Sequence, residues 1–316
     1  MRAPNFWEKP NLIARVLAPA GWVYSAAGAI RERLIEPYDP GVPIVCVGNA
    51  VVGGAGKTPL TFTLAKLLSA QNPHALSRGY GGSLREAVRV DPAIHTHQEV
   101  GDEPLLLAEA MPVWTSKNRC DGAKAAVESG AGLLIMDDGL QNPSLRKQVS
   151  LLVVDSHFGA GNGFCLPAGP LREPMRRAVG RCDAVVLIGD GPYLPEHAPR
   201  IFRATVVPDN GAQFFGRQVF AFAGIGRPRK FYASLAECGA QIVGTMDFAD
   251  HHSFSEADLS RIAEAAPESA VLVTTAKDWV RLPRSWQEKV EVLRVSLTIN
   301  DEHKFADLIW QLIARQ

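Results

Sequence analysis

The stretch Ile44-Val45-Cys46-Val47-Gly48-Asn49-Ala50-Val51-Val52-Gly53-Gly54-Ala55-Gly56-Lys57-Thr58 opens as an apolar run and closes on glycines, a lysine and a threonine. The run has the length and β-branched content of a buried strand, and Leu60, Leu64, Leu67 and Leu68 beyond it repeat at the spacing of a helix core face. A glycine-rich turn between strand and helix aims several backbone N–H groups at one spot, which suits phosphate oxygens at a helix N-terminus. On that reading the amides of Gly53, Gly54, Ala55 and Gly56 enclose a nucleotide's phosphates, Lys57 neutralises them and the Thr58 hydroxyl is placed for magnesium. The strict spacing of such a loop puts glycine at position 51, where this chain has Val51. The strand-loop-helix context therefore carries the reading.

Outward from the loop, strand-length apolar runs (43–47, 75–77, 133–136, 151–154, 184–188) alternate with helical patterns (59–70, 103–110, 123–129). Strands so uniformly apolar, separated by helices, predict an α/β fold built on a parallel sheet covered on both faces. The pattern lapses between residues 188 and 219, among Pro192, Pro195, Pro199 and Pro208, which reads as a linker. A second series then runs through 219–223, 228–238, 242–245, 255–266, 271–274, 292–295 and 301–314, with a capping box at Ser255-Glu256-Ala257-Asp258. The expected organisation is an N-terminal helix region (1–40), a phosphate-loop core (41–208) and a smaller α/β domain (209–316) whose last helix is free to pack back on the core.

The 316 residues carry 33 Lys plus Arg against 33 Asp plus Glu, so no global charge draws the chain to nucleic acid. The five cysteines are odd in number and widely spaced, which speaks against a disulfide framework or a zinc site. The apolar N-terminal stretch 12–30 contains Arg15, Pro19 and Gly21, which disfavours a spanning helix, and Glu8 and Lys9 weaken its reading as a secretory leader. Trp22, Val23, Ala26, Ala27, Ile30 and Leu34 fall on one helical face, suited either to a membrane interface or to packing on the protein.

Leu133-Leu134-Ile135-Met136-Asp137-Asp138 is an apolar strand ending in two acids, placed to hold magnesium or its water at the sheet's carboxyl edge. In Val100-Gly101-Asp102-Glu103-Pro104, Asp102 reads as a helix N-cap that can also serve as a base. Arg172-Glu173-Pro174-Met175-Arg176-Arg177 with Arg181 is the densest basic cluster, suited to an anion, to lipid headgroups or to a solvated helix face. An ATPase switch would carry lysine where Val52 stands, and the D-x-x-G and [NT]-K-x-D signatures of GTPases are missing.

Taken with Ser77-Arg78-Gly79-Tyr80-Gly81-Gly82, Asp137-Asp138-Gly139-Leu140-Gln141, Gly161-Asn162-Gly163, residues 166–174, Asp250-His251-His252 and Lys277-Asp278, these segments resemble the tetraacyldisaccharide 4'-kinase family of lipid A biosynthesis. The resemblance spans nearly the whole chain and implies a P-loop NTPase-like sheet sandwiched by helices, with a smaller α/β domain and an interfacial N-terminal helix. It implies transfer of the ATP γ-phosphate to the 4'-hydroxyl of tetraacyldisaccharide 1-phosphate, giving lipid IV-A, at the cytoplasmic face of the bacterial inner membrane, with peripheral contact to that membrane. It further implies Asp102 as general base with His251 as its partner, Lys57 and Thr58 on phosphate and Mg2+, Asp137 and Asp138 completing the metal site, and Arg78, Arg172 and Glu173 lining the acceptor site. Asn142 stands where the family often has histidine. A soluble phosphate-loop kinase for a small acceptor is the alternative, and it predicts that the first 40 residues pack on the protein.

Overall fold

The computed structural model describes residues 4–315. After a single turn at Asn5–Trp7 come α1 (Leu12–Leu34), β1 (Ile44–Gly48), α2 (Lys57–Leu67), β2 (Pro73–Ser77), β3 (Val88–Arg89), α3 (His97–Val100), α4 (Asp102–Leu107), β4 (Val113–Thr115), α5 (Arg119–Glu128) and β5 (Leu133–Asp137). Next are β6 (Val149–Asp155), α6 (Met175–Gly180), β7 (Ala184–Ile188), β8 (Ile201–Pro208), β9 (Gln218–Ala223), α7 (Pro228–Glu237), β10 (Gln241–Asp247) and α8 (Glu256–Ala265). The chain closes with β11 (Val271–Thr275), α9 (Ala276–Trp279), α10 (Arg284–Gln287), β12 (Glu291–Leu293), β13 (Val295–Ile299) and α11 (Glu302–Ile313).

Nine strands form one sheet in the order β13-β8-β7-β6-β1-β5-β2-β4-β3, and four form a second, β10-β9-β11-β12. Within the first sheet only the edge pairs β13/β8 and β3/β4 are antiparallel. Strands β1, β2, β5, β6 and β7 are buried along their whole length, the arrangement their uniform apolarity predicts for parallel strands covered on both faces. Truncating a fully buried side chain such as Ile135 would cost about 2–5 kcal/mol.

Two features differ from the sequence reading. The expected linker contains β8, an eight-residue strand parallel to β7. With Ala204 its one buried residue, it lacks the uniform burial of β7, and the surrounding prolines conceal it. The apolar run at 292–295 is two strands: β12 completes the second sheet, and after Arg294 the chain crosses back as β13 to pair with β8. The stretch 209–316 is thus divided, with β9 to β12 in the second sheet and β13 in the first, where α11 packs against β13 and β6.

Helix α1 meets the protein through its small residues. Ala14, Ala18 and Gly21 are buried, and a Cβ at position 21 would sit 2.8 Å from the Cys165 carbonyl oxygen. Its C-terminal end is tied down by Glu32, which pairs with Arg177 and with Arg181 (2.8 Å) beside α6. Leu12, Val16, Trp22, Val23 and Leu34 are instead 70–79 % exposed. Among the described residues, α1 is the helix long and apolar enough to cross a membrane by length and composition.

Candidate active site

Strand β1 delivers the glycine-rich loop to the carboxyl edge of the first sheet. The register pairs Val47 with Asp137, so the acid at the end of β5 lies beside the start of the loop. Gly56 is the N-cap of α2 at φ 91°, a left-handed conformation that favours glycine, and a Cβ there would meet Ile188 Cδ1 at 2.3 Å. The next residue, Lys57, is buried and donates to Asn49 Oδ1 at 3.2 Å, with Asp138 Oδ1 3.5 Å away. Asn49 also braces the loop, donating from Nδ2 to the Gly53 carbonyl at 3.2 Å. On the outside, the Val52 N–H donates to Pro170 O (2.8 Å) and the Arg172 N–H to Ala50 O (2.7 Å), so residues 170–172 run antiparallel to the loop and hold its shape.

The two acids at the end of β5, Asp137 within it and Asp138 just beyond, are in different states. Asp137 is buried, its Oδ2 has no partner, and burial pushes its carboxyl up to about 7. Asp138 sits in the left-handed region at φ 52°, where a short polar side chain is tolerated, and takes both of its oxygens to Arg172 Nη1 at 2.8 and 2.9 Å. Burial would raise its carboxyl, but the charges of Lys57 and Arg172 outweigh this and hold it below the usual carboxylate value. Arg119, at the start of α5, donates to the Asp137 carbonyl at 3.1 Å and leaves Nε and Nη1 buried without partners. Burial pulls its guanidinium down to about 10.

A second group of residues lies on the seam between the sheets. Gly101, at φ 90°, is the N-cap of α4; a Cβ there would meet the Tyr80 carbonyl oxygen at 2.6 Å. Asp102 is therefore the first helical residue rather than the N-cap expected from sequence, and its Oδ1 accepts from the Glu103 N–H at 3.0 Å. Its Oδ2 lies 3.1 Å from His251 Nδ1, which comes from the loop after β10. Burial would raise the Asp102 carboxyl, yet the hydrogen bond from His251 and the charges of Arg281 and Lys277 hold it well below the usual range. The same hydrogen bond raises His251 above the ordinary imidazole value. Next door, Lys277 Nζ donates to Glu103 Oε1 at 2.6 Å. Asp155, at the end of β6, accepts from Arg227 (2.5 Å) and Lys230 (2.7 Å) of the second-sheet layer.

The structure brings Lys57, Thr58, Asp137 and Asp138 to one edge of the first sheet and joins Asp102 to His251 across the seam. His252 faces away, bonded to Asp258 at 3.0 Å and stacked on Phe248. Arg78 is exposed just beyond β2. Arg172 is engaged with Asp138, and Glu173 is buried, accepting from Gln141 Nε2 (2.9 Å) and Arg181. Glu173 thus braces Gln141, which in turn donates to Asn49 O at 2.9 Å. The sequence reading gave no role to Asn49, Arg119, Lys277 or Arg281. Asn49 and Lys277 lie inside quoted motifs; Arg119 and Arg281 carry no local signal.

Residues 13–314 match the model of the LpxK family, Tetraacyldisaccharide-1-P 4'-kinase. The tetraacyldisaccharide 4'-kinase of Paramagnetospirillum magneticum is 50% identical over 306 residues, covering 94% of each chain. That of Rhodospirillum rubrum is 45% identical and covers 99% of this chain and 98% of its own. Among solved structures, LpxK from Aquifex aeolicus, an "apo" form in complex with ATP, superposes with a TM-score of 0.79 at 27% identity, covering 96% of this chain and 100% of that one.

Proposed function

This chain belongs to the tetraacyldisaccharide-1-P 4'-kinase family, and from that premise we propose that it transfers the γ-phosphate of ATP to the 4'-hydroxyl of a tetraacylated disaccharide 1-phosphate. The loop amides from Gly53 to Gly56 and the N-terminus of α2 hold the polyphosphate. Lys57 leaves Asn49 and Asp138 for the phosphate oxygens, so its charge is stored beside the loop before nucleotide arrives.

Magnesium fits this edge. Among the described residues no group of three or more His, Cys, Asp or Glu is arranged as a metal cage. Magnesium with a nucleotide, however, takes one or two carboxylates and leaves its other positions to phosphate and water. The unpartnered Asp137 Oδ2 supplies such an oxygen, and Thr58 and Asp138 would complete the protein's share. Bound there, the ion would neutralise charge that develops on the transferred phosphoryl group.

The observation that carries the reading is the 3.1 Å contact between Asp102 and His251, made across the seam beside a phosphate loop. An isolated aspartate is a weak base, with a pKa of about 4. Joined to an imidazole, the pair accepts the acceptor's hydroxyl proton as one unit, in the form with ionised Asp102 and neutral His251. Arg78, exposed beyond β2, supplies a cation for the acceptor's anionic groups, and Arg172 joins it once phosphate or metal displaces it from Asp138. The exposed apolar face of α1 lies in a membrane interface, where a four-chain lipid resides, and keeps the enzyme peripheral on the cytoplasmic side, where ATP is found.

The test is an assay with radiolabelled ATP and tetraacyldisaccharide 1-phosphate in mixed micelles. Wild type should yield labelled lipid, and Lys57→Ala and Asp102→Ala should lose at least about 100-fold in rate. A wild type that labels no lipid would overturn the substrate, and a fully active Asp102→Ala would overturn the base.

A further inference from the structure

The turn that carries Lys277 holds a second cation to which the mechanism above assigns no task. Arg281 follows α9 by two residues and is buried. Its Nη1 donates to Asp278 Oδ1 at 3.1 Å and to the Gly224 carbonyl at 3.0 Å. Asp278 is itself fully buried and accepts from the Gly224 N–H (3.0 Å) and the Thr275 hydroxyl (2.7 Å). One side of the guanidinium is thus fixed by the second sheet and its helices. From the other side Nε (3.0 Å) and Nη2 both donate to Asp102 Oδ2.

That oxygen is the one His251 Nδ1 reaches, and Arg281 Nη2 lies 3.4 Å from the same ring nitrogen. With Oδ1 taken by the Glu103 N–H, the carboxylate has no freedom to rotate. The spacing is also matched. Lys277 and Arg281, four residues apart, meet the consecutive acids Glu103 and Asp102, one cation to each. Charge balance alone would need no fork; a planar guanidinium bonded at both ends sets an angle, which a lysine cannot do.

We propose that Arg281 is a positioning residue for the phosphoryl transfer, fixing the Asp102 carboxylate against His251 from the second sheet so that the pair is assembled only when the two sheets are docked. This rests on the reading of Asp102 and His251 as the base. The charge of Arg281 also bears on both members. It lowers the proton affinity of Asp102 and opposes the rise at His251. Among the described residues, the other titratable or charged groups facing the pair are Lys277 and Asp278 beside Arg281, Asp250 beside His251, Glu103 on α4, His97 on α3, and Tyr80, whose ring centre lies 5.8 Å from that of His251. Removing Arg281 leaves these in place and moves the pair's titration upward.

The experiment measures lipid phosphorylation from about pH 5 to about pH 9, bracketing the imidazole range, for wild type, Arg281→Gln, Arg281→Lys and Asp102→Asn, with thermal unfolding and ATP binding recorded on each. Arg281→Gln should lose at least about 10-fold in kcat at neutral pH, and its acid limb should move up by about one unit, so that the deficit shrinks as pH rises. Its affinity for ATP should stay within about twofold. Arg281→Lys should keep the wild-type limb and recover part of the rate, because it restores the charge without the fork. A loss in Arg281→Gln that is equal at every pH, or no loss, would overturn the proposal. Should Arg281→Gln not fold, Arg281→Lys decides: a reduced kcat at unchanged ATP affinity supports it, and a wild-type rate overturns it. An inactive Asp102→Asn beside a pH-insensitive Arg281→Gln sinks only the role of Arg281, whereas an active Asp102→Asn sinks the base assignment.

Discussion

Lys277 donates to Glu103 at 2.6 Å, and this single bond joins the first turn of α9 to the first turn of α4 across the seam. Each partner is otherwise poorly placed to lose the other. Burial would lower the Lys277 ammonium, but the Glu103 carboxylate keeps it raised. Lys277→Met should therefore destabilise the chain by about 2 kcal/mol in urea unfolding, because it leaves a carboxylate short of its partner, and Glu103→Gln added to it should recover part of that loss. A double variant no more stable than Lys277→Met alone would show that the two do not act as a pair.

On the proposed mechanism, the Asp102–His251 pair gives the reaction a pH dependence with a defined sign. The competent form needs neutral His251, whose proton affinity is raised by Asp102, so the acid limb of kcat/KM should lie above the ordinary imidazole value of about 6.5. His251→Gln should abolish that limb and lower kcat. The same contact also acts on stability. With a raised folded value, protonated His251 stabilises the docked seam fully below the unfolded value and loses this as pH rises through the folded one. The difference in Tm between wild type and His251→Gln should narrow over that upper range.

Gly56 and Gly101 both hold left-handed backbone at close contacts, yet their substitutions should separate. Gly56→Ala pushes into Ile188 and deforms the phosphate loop, so ATP affinity should fall at least about 10-fold, with about 1–2 kcal/mol of backbone strain. Gly101→Ala presses on the Tyr80 carbonyl and shifts Asp102, so ATP should bind nearly as before while kcat falls by about 100-fold. Nucleotide titration and single-turnover transfer distinguish the two outcomes.

Trp22 and Val23 present large apolar surface to solvent while α1 grips the protein through Ala14, Ala18 and Gly21. Replacing both with Glu should leave the fold and ATP binding intact but reduce flotation with anionic liposomes severalfold, since each charge in an apolar interface costs about 2 kcal/mol or more. Unchanged flotation would place the contact with lipid elsewhere on the molecule.

How much of this was legible in the sequence depended on whether the signal was local. The run 184–188 gives the bounds of β7, because five successive apolar residues suit a strand buried in a parallel sheet. β8 is hidden in the sequence because its own residues are mostly exposed or half-buried and prolines stand at 199 and 208, so it resembles a connection. The loop from Gly53 to Thr58 announces itself, since its chemistry is carried by consecutive backbone groups. Asp102 and His251 are 149 residues apart and were paired only through the family resemblance. Arg281 had no such help: nothing in Thr275-Ala276-Lys277-Asp278-Trp279-Val280-Arg281 says that its fork crosses to another sheet.

The pairing of Pro208 with Val295 has a topological consequence. The residues where the chain leaves β8 and where it re-enters as β13 are direct neighbours, so everything from 209 to 294 is a hairpin bend swollen into a folded body. A tight turn of a few residues could therefore splice 208 to 295 without stretching the remaining framework. Such an excised protein would keep its phosphate loop and Asp102 but lack His251, Lys277 and Arg281: a nucleotide binder whose remaining carboxylate stands without the groups that orient and complete it.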